Sequence, residues 1–190
     1  MRILALQGSP NLDGLTASMA KQAIAGAKAA GAETELVDLC KLKLEACRQC
    51  DDGWGICRSE GNCIIEDDFD TVRDKMAAAD GLVLSTPVYW GNLSEVCKNF
   101  LDRLRRCERA GPDDPRIEGK WVLGIAAAGG SGGGGPTCLI SMEQYYNHMG
   151  LRMFDQMIVT RRSSEYMLQA ARASGEKLIA YIEEQRKRSE

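Results

Sequence analysis

Apolar runs alternate with helical patterns along this chain. Ile3–Leu6 is a continuous apolar run that ends at Gly8, the pattern of a strand buried on both faces. Thr16 is placed to cap a helix with Met19, Ala23, Ile24 and Ala27 as its apolar positions and Gly31 past its end. Thr34–Val37 predicts a second short strand. Asp67 or Asp68 opens a helix that puts Phe69, Val72, Met76 and Ala77 on one face. Leu82–Ser85 predicts a third strand, stopped at Pro87. Asn92 or Ser94 then starts a helix in which Val96, Phe100, Leu101 and Leu104 form one buried stripe. Residues 110–118 read as a loop, Trp121–Ala126 as a fourth strand, and Gly129–Gly135 as a glycine tract. Thr137–Met149 predicts a helix, Met153–Val159 a fifth strand and Glu165–Arg188 a terminal helix. This alternation predicts one α/β domain over residues 1–190, a five-stranded parallel sheet with helices on both faces. Ligands in such sheets bind outside the carboxyl ends of the strands. The loops after strands one, three and four are therefore the informative ones, with the long aperiodic stretch from Leu39 to Glu66.

Composition narrows the function more than the fold. The 190 residues are 44% hydrophobic and 27% charged, ordinary for one globular domain. A formal net charge of −3 gives no electrostatic reason to expect nucleic acid as a partner. No apolar stretch approaches the roughly 18 residues of a membrane span, and the N-terminal apolar run is too short for a signal peptide. A cytoplasmic location away from membranes is the expectation. Of eight cysteines, Cys47, Cys50, Cys57 and Cys63 are clustered, and in a cytosolic chain clustering points to metal or redox chemistry rather than structural disulfides.

Three loops carry candidate chemistry. Gly8-Ser9-Pro10-Asn11-Leu12-Asp13-Gly14-Leu15-Thr16 puts small and hydroxyl residues where a helix begins, suited to a phosphate or simply to a capped β–α turn. It has no lysine and does not meet the Walker pattern, which argues against nucleoside-triphosphate chemistry. Thr86-Pro87-Val88-Tyr89-Trp90-Gly91-Asn92 places adjacent aromatics at the ligand edge, to cover a flat ring or to pack under the loop or in a dimer contact. Gly130–Gly135 fits G-x-G-x-x-G with Asp155 about twenty residues on, but a glycine tract satisfies that pattern almost automatically. A loop without side chains, closing over a flat ligand, is the better reading.

The cysteines run Cys47-x2-Cys50-x6-Cys57-x5-Cys63, with Gly53, Gly55 and Gly61 between them. Four thiolates on a short loop suit a 4Fe–4S iron-sulfur cluster. Zinc usually takes two C-x2–4-C knuckles, and only one such pair occurs here. Free thiols or a redox disulfide are the other reading. Cys97 and Cys138 suit core packing. His148 reads as a structural residue at a helix end, where a cation suits the dipole. Arg103, Arg105, Arg106 and Arg109 read most simply as a solvated helix face, less simply as contacts to a nicotinamide cofactor's 2′-phosphate or an acidic electron donor.

Together, G-S-P-x-x-x-G-x-T, then T-P-V-Y-W-G-N with K-N-F-L-D-R (Lys98 to Arg103), then G-G-S-G-G-G resemble the flavodoxin-like NADPH-dependent FMN reductases, in particular the iron-sulfur flavoproteins. The similarity covers roughly residues 1–160. It implies a flavodoxin-like sheet of order 2-1-3-4-5, with a cysteine-rich insertion at about 39–66. It implies that Ser9, Asn11 and Thr16 hold the FMN phosphate. Pro87, Tyr89, Trp90, Gly91 and Asn92 would border the isoalloxazine ring, and Gly129, Gly130 and Ser131 its other edge. Asn11 stands where the family usually has arginine, and Leu15 where it has asparagine. The iron-sulfur flavoproteins carry a C-x2-C-x2-C-x4–7-C segment, and four extra residues separate Cys50 from Cys57 here.

The expected function is FMN-dependent electron transfer with no catalytic acid or base. Either a cluster on Cys47, Cys50, Cys57 and Cys63 relays electrons from a ferredoxin-like partner, or NAD(P)H reduces FMN for a quinone or other small acceptor without a cluster. A non-catalytic metal-binding domain is the third reading; it leaves the glycine tract and the Y-W-G-N loop unexplained. A homodimer or homotetramer is implied by the resemblance.

Overall fold

A computed structural model describes residues 1–109 and 115–189; the predicted loop residues 110–114 lie outside it. The central sheet has five parallel strands, β1 (Arg2–Gln7), β2 (Glu33–Asp38), β3 (Gly81–Pro87), β4 (Trp121–Ala127) and β5 (Arg152–Val159), in the order β2-β1-β3-β4-β5. Both the strand count and the 2-1-3-4-5 order match the expectation. β1 explains why its sequence lacks alternation. Ile3 and Ala5 face one layer while Leu4 and Leu6 face the other, so every position is apolar.

Helices α1 (Leu15–Ala29) and α6 (Ser164–Ser189) cover one face, packing Met19, Ala23, Ala171 and Ile179 on Ile3, Val83 and Ile125. Helices α3 (Phe69–Ala78), α4 (Glu95–Arg109) and α5 (Gly135–His148) cover the other through Phe69, Phe100, Leu104 and Met142. The four-residue helix α2 (Ile56–Ser59) belongs to the cysteine segment. α1 and α6 touch backbone to backbone. A Cβ on Gly26 would lie 1.9 Å from the Arg172 carbonyl oxygen, and one on Gly175 would lie 1.8 Å from that of Ala23.

One helix start differs from expectation, and another settles on one of two expected residues. Gly14, not Thr16, occupies the N-cap of α1 with no side-chain cap, and Thr16 lies buried in the first turn. At α4 the cap position falls to Ser94, whose carbonyl accepts the Lys98 N–H at 2.9 Å. Its hydroxyl is used elsewhere, donating to Gly8 O at 2.7 Å and so tying the first loop to the start of α4.

Candidate functional site

Four β–α loops meet at the carboxyl edge of the sheet. After β1, the Ser9 hydroxyl accepts the Asn11 N–H at 3.2 Å, and the Asn11 carboxamide oxygen accepts that of Asp13 at 3.2 Å. This successive pairing curls the loop, and Asn11 lies against Gly14, where a Cβ would meet its Nδ2 at 2.9 Å. The first N–H groups of α1, without a side-chain cap or an acidic residue in the first turn, are free to receive an anion.

After β3, Tyr89 and Asn92 exchange backbone hydrogen bonds of 2.8 and 3.1 Å across Trp90 and Gly91. Both central residues have left-handed φ (51° and 80°), the geometry of a type I′ turn. The turn holds Trp90 wholly in solvent. After β4, Gly134 (φ +76°) backs onto that turn, and a Cβ there would lie 2.7 Å from Gly91 Cα and 2.8 Å from its N. Backbone cannot swing aside as a side chain does. With the left-handed penalty added, Gly134→Ala is expected to part the two loops and weaken flavin binding about tenfold while circular dichroism stays native. Unchanged flavin titration would show that this contact does not shape the site.

The loops enclose an open cleft of about 600 Å³, within the range of small-molecule sites. Of the residues expected to hold flavin, Asn11, Thr16, Pro87 and Gly129 line it. Ser9 is buried behind the loop, Gly130 and Ser131 lie further along the glycine tract, and Tyr89, Trp90 and Gly91 form the turn outside the lining. Asn92 faces a separate polar cleft with Lys98, Asp102, Tyr145 and His148. There Tyr145 donates to Asp102 at 2.7 Å and Lys98 donates to both, at 2.7 and 3.1 Å. Burial, with Arg105 and Arg109 nearby, lowers the His148 pKa, so the cation expected from its helix position is disfavoured.

Sequence reasoning missed part of the cleft. Ser18, Val88, Arg161, Ser164 and Leu168 also line it, three of them from the loop after β5 and the start of α6.

Cys47, Cys50, Cys57 and Cys63 are free, half-buried thiols lining one cavity. Its other wall is α4, and here the solvated-arginine expectation is corrected. Arg103 is 1% exposed because it sits on the apolar stripe of α4 and pairs with the fully buried Asp67 carboxylate at 2.6 and 3.0 Å. The same guanidinium donates to Glu45 O and Ile65 O, each at 3.2 Å, closing both ends of the segment that contains all four cysteines. It stacks on Phe69 at 4.3 Å, while Arg106 donates to Gly53 O and stacks on Trp54 at 4.4 Å. Burial alone would raise the Asp67 pKa, but Arg103 and the N–H groups of Glu45 and Phe69 hold it below the usual carboxylate value.

The cavity suits a sulfur-ligated, negatively charged group in chemistry more than in size. Arg103 and Cys63 line the cavity together, and the buried Arg103 Nε makes no hydrogen bond, a donor that such a group would satisfy. Free space is about 20 Å³, room for about one water, so the loop must spread to admit a cluster. Among the described residues no three His, Cys, Asp or Glu side chains meet at the spacing of a single metal ion. Cys107 lines the same cavity, and burial pushes its thiol up to about 12; Cys97 and Cys138 are buried, pushed up to about 11 and about 12. Among the described residues no helix is long and apolar enough to cross a membrane.

Comparisons agree with this geometry. The sequence profile of the NADPH-dependent FMN reductases matches residues 1–163. An iron-sulfur flavoprotein of Methanocaldococcus jannaschii is 32% identical over 130 residues, 68% of this chain and 65% of its own length. One from Methanosarcina thermophila is 30% identical over 154 residues, 80% of this chain and 75% of that protein. The NAD(P)H:quinone oxidoreductase from Methanothermobacter marburgensis superposes with a TM-score of 0.77 at 18% identity, covering 94% and 96% of the two chains. A flavone reductase superposes with a TM-score of 0.75 at 20% identity, covering 96% of this chain and 63% of that one. At these identities the superpositions establish the fold alone, and the flavodoxin-like architecture is that fold. The chain thus belongs to the NADPH-dependent FMN reductase family.

Proposed function

We propose that this protein holds FMN in the cleft between its β–α loops and an iron-sulfur cluster on Cys47, Cys50, Cys57 and Cys63, and passes electrons between a ferredoxin-like partner or NAD(P)H and a small-molecule acceptor. The observation that supports the cluster is the shared cavity: four thiols around a space whose wall carries a buried, unpaired guanidinium N–H. FMN takes two electrons as hydride or one at a time, and a cluster passes one at a time. The chain's own part is placement. Asn11, Thr16 and the first turn of α1 would receive the phosphate end, and Pro87 and Gly129 would flank the ring. The exposed side chains of Tyr89 and Trp90 suit a subunit contact in a homodimer or homotetramer.

A second reading, an NAD(P)H-dependent FMN or quinone reductase without a cluster, draws its support from the small size of the thiol cavity. Protein purified without air separates the two. The first reading expects flavin bands with a broad, dithionite-bleached shoulder, bound iron and labile sulfide. Cys50→Ala should then lose most iron and sulfide while FMN stays, because the cysteine cavity and the flavin cleft share no lining residue. FMN with neither iron nor sulfide in the wild type would select the second reading. Recovery of FAD after acid release would refute both assignments of the cofactor.

A further inference from the structure

The first loop, Gly8 to Thr16, contains no basic residue and includes Asp13. A phosphate dianion there would meet the amide N–H groups of α1, the Thr16 side chain and no cation from that loop. Among the described residues lining the cleft, only one is charged, Arg161. No ion pair or side-chain hydrogen bond occupies its guanidinium among the described residues; only its carbonyl is engaged, accepting the Ser164 hydroxyl at 3.0 Å.

The turn that carries it is well fixed. Thr160 N–H donates to the Ser163 hydroxyl at 2.9 Å, and Ser163 N–H returns to the Thr160 carbonyl at 3.2 Å, leaving Arg161 and Arg162 as the two central residues. Ser163 O then accepts the Met167 N–H at 3.0 Å to begin α6. Arg161 lines the cleft and Arg162 does not. An unpaired guanidinium at the rim of a cleft otherwise lined by uncharged residues is a strong attractor for a phosphate monoester. Guanidinium–phosphate hydrogen bonds are charge-assisted and exceed neutral ones in strength.

We propose that Arg161 makes the cleft selective for phosphorylated flavin, its guanidinium pairing with the 5′-phosphate of FMN. This rests on the flavin reading of the cleft, and it assigns the cation to the loop after β5. The phosphate is then held from two sides, by the α1 amides and by Arg161, while the ring end of the flavin makes no use of the arginine.

Flavin titrations of the whole protein test this. FMN and riboflavin affinities are compared for wild type, Arg161→Gln and Arg162→Gln, each at low and high salt. Arg161→Gln should weaken FMN binding about tenfold to a hundredfold, change riboflavin binding less than about twofold and flatten the salt dependence of FMN binding. Arg162→Gln, with the same charge loss one residue away, should keep the wild-type preference. An Arg161→Gln protein that still prefers FMN over riboflavin by the wild-type ratio overturns the proposal, even if its KM for NADPH rises. A wild type that binds neither flavin overturns the flavin reading and this proposal with it.

Discussion

Gly175→Ala should lower the unfolding free energy by about 3 kcal/mol, the upper part of the range for overpacking a tight contact. In an exposed helix interior the same change would stabilise by up to about 1 kcal/mol, so the expected sign is itself informative. The reason is the 1.8 Å approach that a new Cβ would make to Ala23 O, followed by 2.7 Å to its carbonyl carbon. Neither atom can rotate away. α6 would have to lift from α1, loosening Ala171, Leu178 and Ile179 from the sheet. Because α6 begins at the cleft with Ser164 and Leu168, FMN affinity should fall as well. Urea unfolding measures the first effect and flavin titration the second. A Gly175→Ala protein with an unchanged or higher midpoint would mean that the two helices are not in backbone contact.

Arg103→Leu should be costlier still, about 3–5 kcal/mol, because it leaves a buried carboxylate without its partner. Asp67 has no exposed side-chain surface, and the carbonyls of Glu45 and Ile65 lose a donor in the same step. Arg103→Leu with Asp67→Leu should recover part of the loss, since the stranded charge is then gone. The pH dependence has a definite sign. Asp67 has a lowered pKa in the folded protein, so its stabilisation is complete above the ordinary carboxylate value of about 4 and is lost as pH falls through the folded value. In Arg103→Leu only the Glu45 and Phe69 N–H groups still oppose burial at Asp67, its pKa rises, and the deficit relative to wild type should shrink as pH falls. Thiol reagents should also reach Cys47 to Cys63 faster, because the neck of their loop is open. An equal deficit at all pH values would show that Asp67 does not titrate against Arg103.

The strands were readable because parallel strands buried on both faces leave unbroken apolar runs, as in Ile3–Leu6. The edge strand β2 was harder, with only Val37 fully buried. The cleft was read from loops with distinctive composition, and the loop after β5 has none. Thr160 to Ser164 shows two arginines between hydroxyl residues, which looks like solvent-facing chain. The legible signal was topological, since every β–α loop of a parallel sheet opens on the same edge. Arg103 misled for a different reason. Charge argues for solvent, but its spacing from Phe100, Leu104 and Cys107 places it on the buried stripe, where only a partner as far away in sequence as Asp67 makes burial tolerable. The thiol cavity was legible as a cluster of cysteines, and its size was not, because that depends on how α4 presses against the loop.

The backbone contact between α1 and α6 also bears on how the protein is made. The sheet face above β1 is finished by a helix that leaves the ribosome about 150 residues after α1, so local contacts alone cannot complete that layer. Until α6 arrives, α1 alone covers that layer, and its Ala23–Gly26 side stays open. The family match ends at residue 163, one residue before this helix starts. A chain cut at that boundary would expose the apolar layer permanently, and it should be a client of chaperones or an aggregate rather than a smaller flavoprotein.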